Sequence, residues 1–134
     1  MNERKATLAQ GTFAGSTADE LAARGRGDRI AAGADQRVLF PRRGQMVLHT
    51  DRLVISGWDG TTDLILRPGE VTSVRNEYTD LYGRCVGGLL NSGKPLILGT
   101  SAQGEIYLMV NHRRFLETTR NRTWARLLKD WTAS

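Results

Sequence analysis

The stretch NRTWARLLKDW, residues 121–131, decides the fold. Trp124, Leu127, Leu128 and Trp131 fall at i, i+3, i+4 and i+7, one apolar stripe on a helix, while Arg122, Arg126, Lys129 and Asp130 take the other face. Asn121 or Thr119 is placed to cap its start. Full burial of each stripe residue contributes about 1.5–3 kcal/mol. A helix of this length is marginal alone in water. The stripe must therefore dock on a partner surface within the chain.

Upstream of the helix the pattern is one of short strands. RVLF (37–40) precedes Pro41, and QMVLHT (45–50) and RLVISGW (52–58) alternate about the pair Thr50-Asp51, which suits a tight hairpin turn. LILR (64–67), VTSVRNEY (71–78), PLILGT (95–100) and EIYLMV (105–110) follow, divided by the turn signals DGTTD, PGE and SAQG. Breakers at this spacing argue for an antiparallel barrel or sandwich and against βαβ units. The expected fold class is mainly β, capped at an open end by the C-terminal helix.

Residues 1–35 read differently, with Leu8, Phe13, Leu21 and Ile30 as their large apolar side chains. They are expected to form a partly ordered arm ahead of a domain spanning 36–134. STADELAAR predicts a short helix near 17–24, with Ser16 or Thr17 as cap and Asp19 and Glu20 at its positive dipole end. KATLAQGTF offers an extra strand. The Arg26–Asp28 triplet RGD lacks the extracellular context that would make it an adhesion motif.

The 134 residues suit one domain; 40% are apolar and 25% charged. Cys85 is the sole cysteine, which excludes a disulfide scaffold and fits a cytoplasmic setting. No apolar run is long enough to span a membrane, and MNERKATLAQ does not read as a secretory signal. The net charge is +5, and sixteen of the nineteen cations are arginine, whose fork matches phosphate and carboxylate.

The order of strands first and helix last, with GQMVLHTDRLVISG (44–57), LILRPGEVTSV (64–74) and KPLILGTSAQGEIYLMV (94–110), resembles GRAM and bacterial pleckstrin-homology-like (PH-like) domains over about residues 37–131. The glycine-rich stretch Gly83–Gly93 and the arm have no counterpart in that pattern. The resemblance implies a PH-like antiparallel barrel or sandwich capped by one helix, acting as a non-enzymatic binding module without a cofactor. In phosphoinositide-binding members, cations between the first two strands hold headgroup phosphates; Arg42, Arg43 and Arg52 occupy comparable places here.

GLLNSGKP (88–95) comes within one residue of a phosphate loop, but Pro95 stands where the magnesium-binding hydroxyl belongs and a strand-like run follows. A lesser role, with Lys94 and backbone N–H groups holding an anion, stays open. Catalysis is poorly supplied: His49, His112 and Cys85 form no motif with one another, and no metal-ligand spacing occurs. Nucleic acid is disfavoured, because Trp124 and Trp131 face the core on the helical reading, leaving few aromatics to interleave with Arg113, Arg114, Arg120 and Arg122.

Two binding roles remain. The first is protein interaction, scaffolding or self-association, through Tyr78, Leu81, Tyr82, Leu89 and Leu90 in the unusual segment 78–94 or through an exposed strand edge. The second is peripheral attachment to anionic phospholipid headgroups through Arg42, Arg43, Arg52 and Lys94.

Overall fold

A computed structural model describes residues 7–27, 42–77, 79, 95–111 and 120–133, the side chains of 24–27 excepted. Among these residues seven strands form one curled antiparallel sheet: β1 (Thr7–Thr17), β2 (Arg42–His49), β3 (Leu53–Asp59), β4 (Thr62–Leu66), β5 (Val71–Asn76), β6 (Leu96–Thr100) and β7 (Gly104–Val110). Helix α1 (Ala18–Gly27) follows β1, a single 3₁₀ turn (Pro68–Glu70) joins β4 to β5, and α2 (Asn121–Ala133) ends the described chain. The order across the sheet is β4-β3-β2-β1-β7-β6-β5. The mainly β architecture with a terminal helix is thus as expected, with the barrel open as a half-barrel.

The alternation read from the sequence sets the register. Met46, Leu48, Leu53, Ile55 and Leu66 point inward and are buried, with Met46 opposite Ile55 and Leu53 opposite both Leu48 and Leu66. The hairpin at Thr50-Asp51 is closed by a 2.8 Å bond from the His49 N–H to the Arg52 carbonyl. At the next turn Gly57 and Gly60 have φ of +68° and +78°, a backbone that side chains rarely adopt. At Gly44 the constraint is space, since a Cβ there would lie 2.3 Å from the Ser56 carbonyl oxygen.

Residues 7–27 are no appended arm. β1 is the central strand, paired with β2 from Thr7 opposite His49 to Gly15 opposite Arg42, and with β7 from Phe13 opposite Val110 to Thr17 opposite Ile106. The extra strand offered by KATLAQGTF is present over its described residues and runs on to Thr17, with small residues where both of its faces are covered. Gly15 lies against Trp58 and Leu108 on the inner side, while Ala14 and Ser16 are buried on the outer side, where α1 packs over β1 and β7. The expected helix near 17–24 is α1, starting at 18. RVLF and the boundary expected at 35–36 lie outside the described residues.

Thr17 and Glu20 close a capping box on α1: the Glu20 N–H donates to Thr17 Oγ1 (3.1 Å) and the Thr17 N–H to Glu20 Oε1 (2.9 Å). Thr17→Ala is therefore expected to lower stability by about 1 kcal/mol, read as a shift in the urea midpoint; an unchanged midpoint would show the box to be idle.

α2 plugs the concave face. Trp124, Leu128 and Trp131 are buried among the inward residues, Leu127 is half-buried, and Ala125 joins the core from beside the stripe. Arg122, Arg126, Lys129 and Asp130 are exposed, as expected. The helix is tied at both ends. Asn121 Oδ1 accepts the Val110 N–H at 2.7 Å, while the Trp131 indole N–H reaches the Thr50 carbonyl, in the β2–β3 hairpin, at 3.1 Å. α2 therefore runs from the end of β7 to the first hairpin.

Candidate functional site

Arg42 was expected between two strands; it opens β2 instead. Its backbone faces Gly15 on β1, and its guanidinium closes back onto α1. Nε donates to Glu20 Oε1 at 2.9 Å and Nη2 to Glu20 Oε2 at 2.8 Å, a forked pair. Nη1 donates to Asp59 Oδ1 at 2.9 Å and to the Trp58 carbonyl. The guanidinium carbon lies 4.5 Å from the centre of the Trp58 ring. Hydrogen bonding to Arg42 holds the Glu20 carboxyl below the usual carboxylate range against the opposing effect of burial, and Glu20 in turn raises the guanidinium. An open depression of about 570 Å³ borders this cluster, lined among others by Glu20, Arg42, Arg43 and Asp59. Two carboxylates already balance the cation, so the arrangement is built to hold α1 on the sheet.

Of the other expected anion ligands, Arg43 borders the same depression and Arg52 does not. Arg43 is exposed on β2 opposite Ala14. Arg52 lies past the hairpin at the far end of that strand, ~23 Å away at the usual rise per residue, with Asp51 at 3.4 Å. Lys94 and the expected partner residues Tyr78, Leu81, Tyr82, Leu89 and Leu90 lie outside the described residues, as do His112, Arg113 and Arg114. The cations of α2 are exposed on the side opposite its buried stripe, and Arg120, just before the helix, is also exposed. His49 Nδ1 and Trp58 Nε1 are buried with no hydrogen-bond partner among the described residues.

A different surface emerges at the sheet's edge. β4 ends the strand order beyond β3, so one side of its backbone faces no strand among the described residues. Ile65 is 51% exposed on it. Ile65 lies opposite Val54, and Val54 opposite Val47, so the three form one apolar row across the outer face, with Val47 and Val54 half-exposed. Leu8, at the irregularity in β1 beside this row, is 49% exposed. On the inner side Leu66 is buried and Leu64 packs partly on the core. Asp63 and Arg67, both exposed, flank Ile65 at two residues on either side. Asp63 Oδ1 accepts the Gly57 N–H at 2.9 Å, and Arg67 continues the extended backbone with φ −91° and ψ 161°. The strand LILR (64–67) was read from the sequence, with Asp63 assigned to the turn before it, but its place at the edge is a property of topology, which no local pattern carries. The Glu20 partner of Arg42, 22 residues away, was equally out of reach of local reading.

Among the described residues no helix is long and apolar enough to cross a membrane, and no three of His, Cys, Asp and Glu cluster as metal ligands. No protein-family model matches the chain, and no curated protein matches it. Among solved structures it is similar to a Vps36 N-terminal PH domain, with a TM-score of 0.51 at 13% sequence identity, over 99% of this chain and 83% of that one. At that identity the likeness establishes the fold, which is PH-like.

Proposed function

We propose that this PH-like chain is a non-enzymatic, GRAM-like binding module that recognises protein partners by strand addition at β4. The observation that carries the reading is the β4 edge, which pairs with no further strand among the described residues and bears exposed Ile65, backed by the apolar row Val54–Val47. An unpaired edge supplies main-chain donors and acceptors to any extended segment, and alternate side chains supply selectivity. The anionic-headgroup reading is less well supported. A phosphate at Arg42 would have to displace Glu20 and Asp59 from charge-assisted bonds, and Arg52 sits too far away to help.

Peptides selected from a random display library on the folded chain test this. The expected result is that they slow hydrogen exchange of the Thr62–Leu66 amides and lose about tenfold or more in affinity to Ile65→Asp while binding Ile65→Val normally. Selected peptides that protect other strands, or that ignore Ile65→Asp, would overturn the reading.

A further inference from the structure

The β4 edge is complementary to itself. Its sequence over 63–67 is Asp-Leu-Ile-Leu-Arg, an acid and a base placed symmetrically about Ile65. We propose that the partner is a second copy of this chain, joined antiparallel through β4 about a twofold axis at Ile65. This rests on the reading of β4 as a recognition edge and names its occupant.

Charge chooses the register. With Ile65 opposite Ile65 of the second copy, Asp63 faces Arg67 of that copy and Arg67 faces its Asp63. Both pairs are attractive, as a twofold interface requires. A parallel alignment would set Asp63 against Asp63 and Arg67 against Arg67 of the second copy. An antiparallel slip by one position at the axis would place Arg67 opposite Ile65. Only the Ile65-centred antiparallel register pairs every charge with its opposite. The same register sets Leu64 beside Leu66 of the second copy on the core side, covering the half-buried leucine. On the outer face it joins two Val47–Val54–Ile65 rows end to end. β4 itself holds no proline, no lysine and no inward-pointing charge that would block pairing, and Pro68 comes only after the strand has ended. The product is one continuous sheet of twice seven strands.

Analytical ultracentrifugation of the full chain tests this with charge-swap variants. The unaltered chain is expected to dimerise at rising concentration. Asp63→Arg and Arg67→Asp are each expected to weaken self-association about tenfold or more, because each turns both symmetric pairs into like-charge pairs. Mixing the two variants restores opposite charges at both positions and is expected to recover a heterodimer, which a misfolded variant could not form. In a Cys85→Ser background, Ile65→Cys is expected to cross-link on oxidation. Val54→Cys, held from its symmetry mate by three strand spacings of ~14 Å in all, is expected to stay uncrosslinked. A chain that stays monomeric at the highest concentration reached, a mixture without recovery, or a Val54→Cys cross-link equal to that at position 65 would each overturn self-pairing. A monomeric chain whose β4 amides are still protected by selected peptides would leave the edge reading standing and remove only the second copy as its occupant.

Discussion

Trp124→Ala is expected to remove about 3–5 kcal/mol of stability, close to the whole margin of a domain near the lower end of the usual 5–15 kcal/mol range. Trp124 is buried on the inner side of α2, among the residues that fill the half-barrel. Truncation would lose its transfer energy and leave a cavity that a curled sheet cannot collapse to fill. Thermal denaturation followed by circular dichroism should show the midpoint falling by about 10 °C or more. Arg126→Ala, two residues along on the exposed face, should stay within about 0.5 kcal/mol. A Trp124→Ala loss under 1 kcal/mol would mean that the helix does not plug the sheet, and the PH-like assembly would lose its closing element.

Arg42→Met carries the second large effect. The Arg42 side chain is 21% exposed and the Glu20 side chain 33% exposed, so solvent screens the pair in part. Removing it still leaves the Glu20 carboxylate half-buried without its forked partner and strips two acceptors, Asp59 and the Trp58 carbonyl, of a donor. With the discount for screening, about 2 kcal/mol is expected. The pH dependence has a definite sign. Glu20 is held below its ordinary value of 4.5 in the folded state. It therefore contributes stability that is fully present above about pH 4.5 and is lost as pH falls through the lower folded value. In Arg42→Met only burial and the local capping bonds act on that carboxyl, so this acid-labile contribution should shrink. Urea midpoints at pH 7 and in acid should show the gap between the two proteins narrowing as pH falls. A constant gap would mean that the ion pair holds nothing in place.

These two residues mark the reach of sequence reading. The Trp124–Trp131 stripe was legible because a helix face is a local pattern, with all its terms inside eleven residues. The hairpin at Thr50-Asp51 was legible for the same reason. β1 was legible in part. KATLAQGTF offered a strand, but not its central place or its run to Thr17, because Ala14, Gly15 and Ser16 are small for tertiary reasons: α1 lies over one face and Trp58 against the other. Arg42 stood out as a cation, but its role depended on Glu20, which folding brings to it from 22 residues upstream. The segment 78–94, which drew attention by its composition, lies outside the described residues except for Thr79. The surface at β4 could not be seen in advance, since a strand becomes an edge only when every other strand has chosen its neighbours.

The strand order also dictates when folding can finish on the ribosome. β1 to β4 emerge first and form one half of the sheet, but the inner flank of β1 waits for β7, and the floor of the half-barrel waits for α2. Trp131 reaches Thr50 across 81 positions of chain. From the end of β4 to that tryptophan is about 65 residues, which at roughly 5–20 residues per second leaves the nascent half uncovered for several seconds. During that interval it presents β1 and β4 as bare flanks together with the greasy inner surface of Met46, Leu48 and Ile55. Chaperone capture of the nascent chain should therefore peak after the fourth strand clears the exit tunnel and fade once the final helix has emerged.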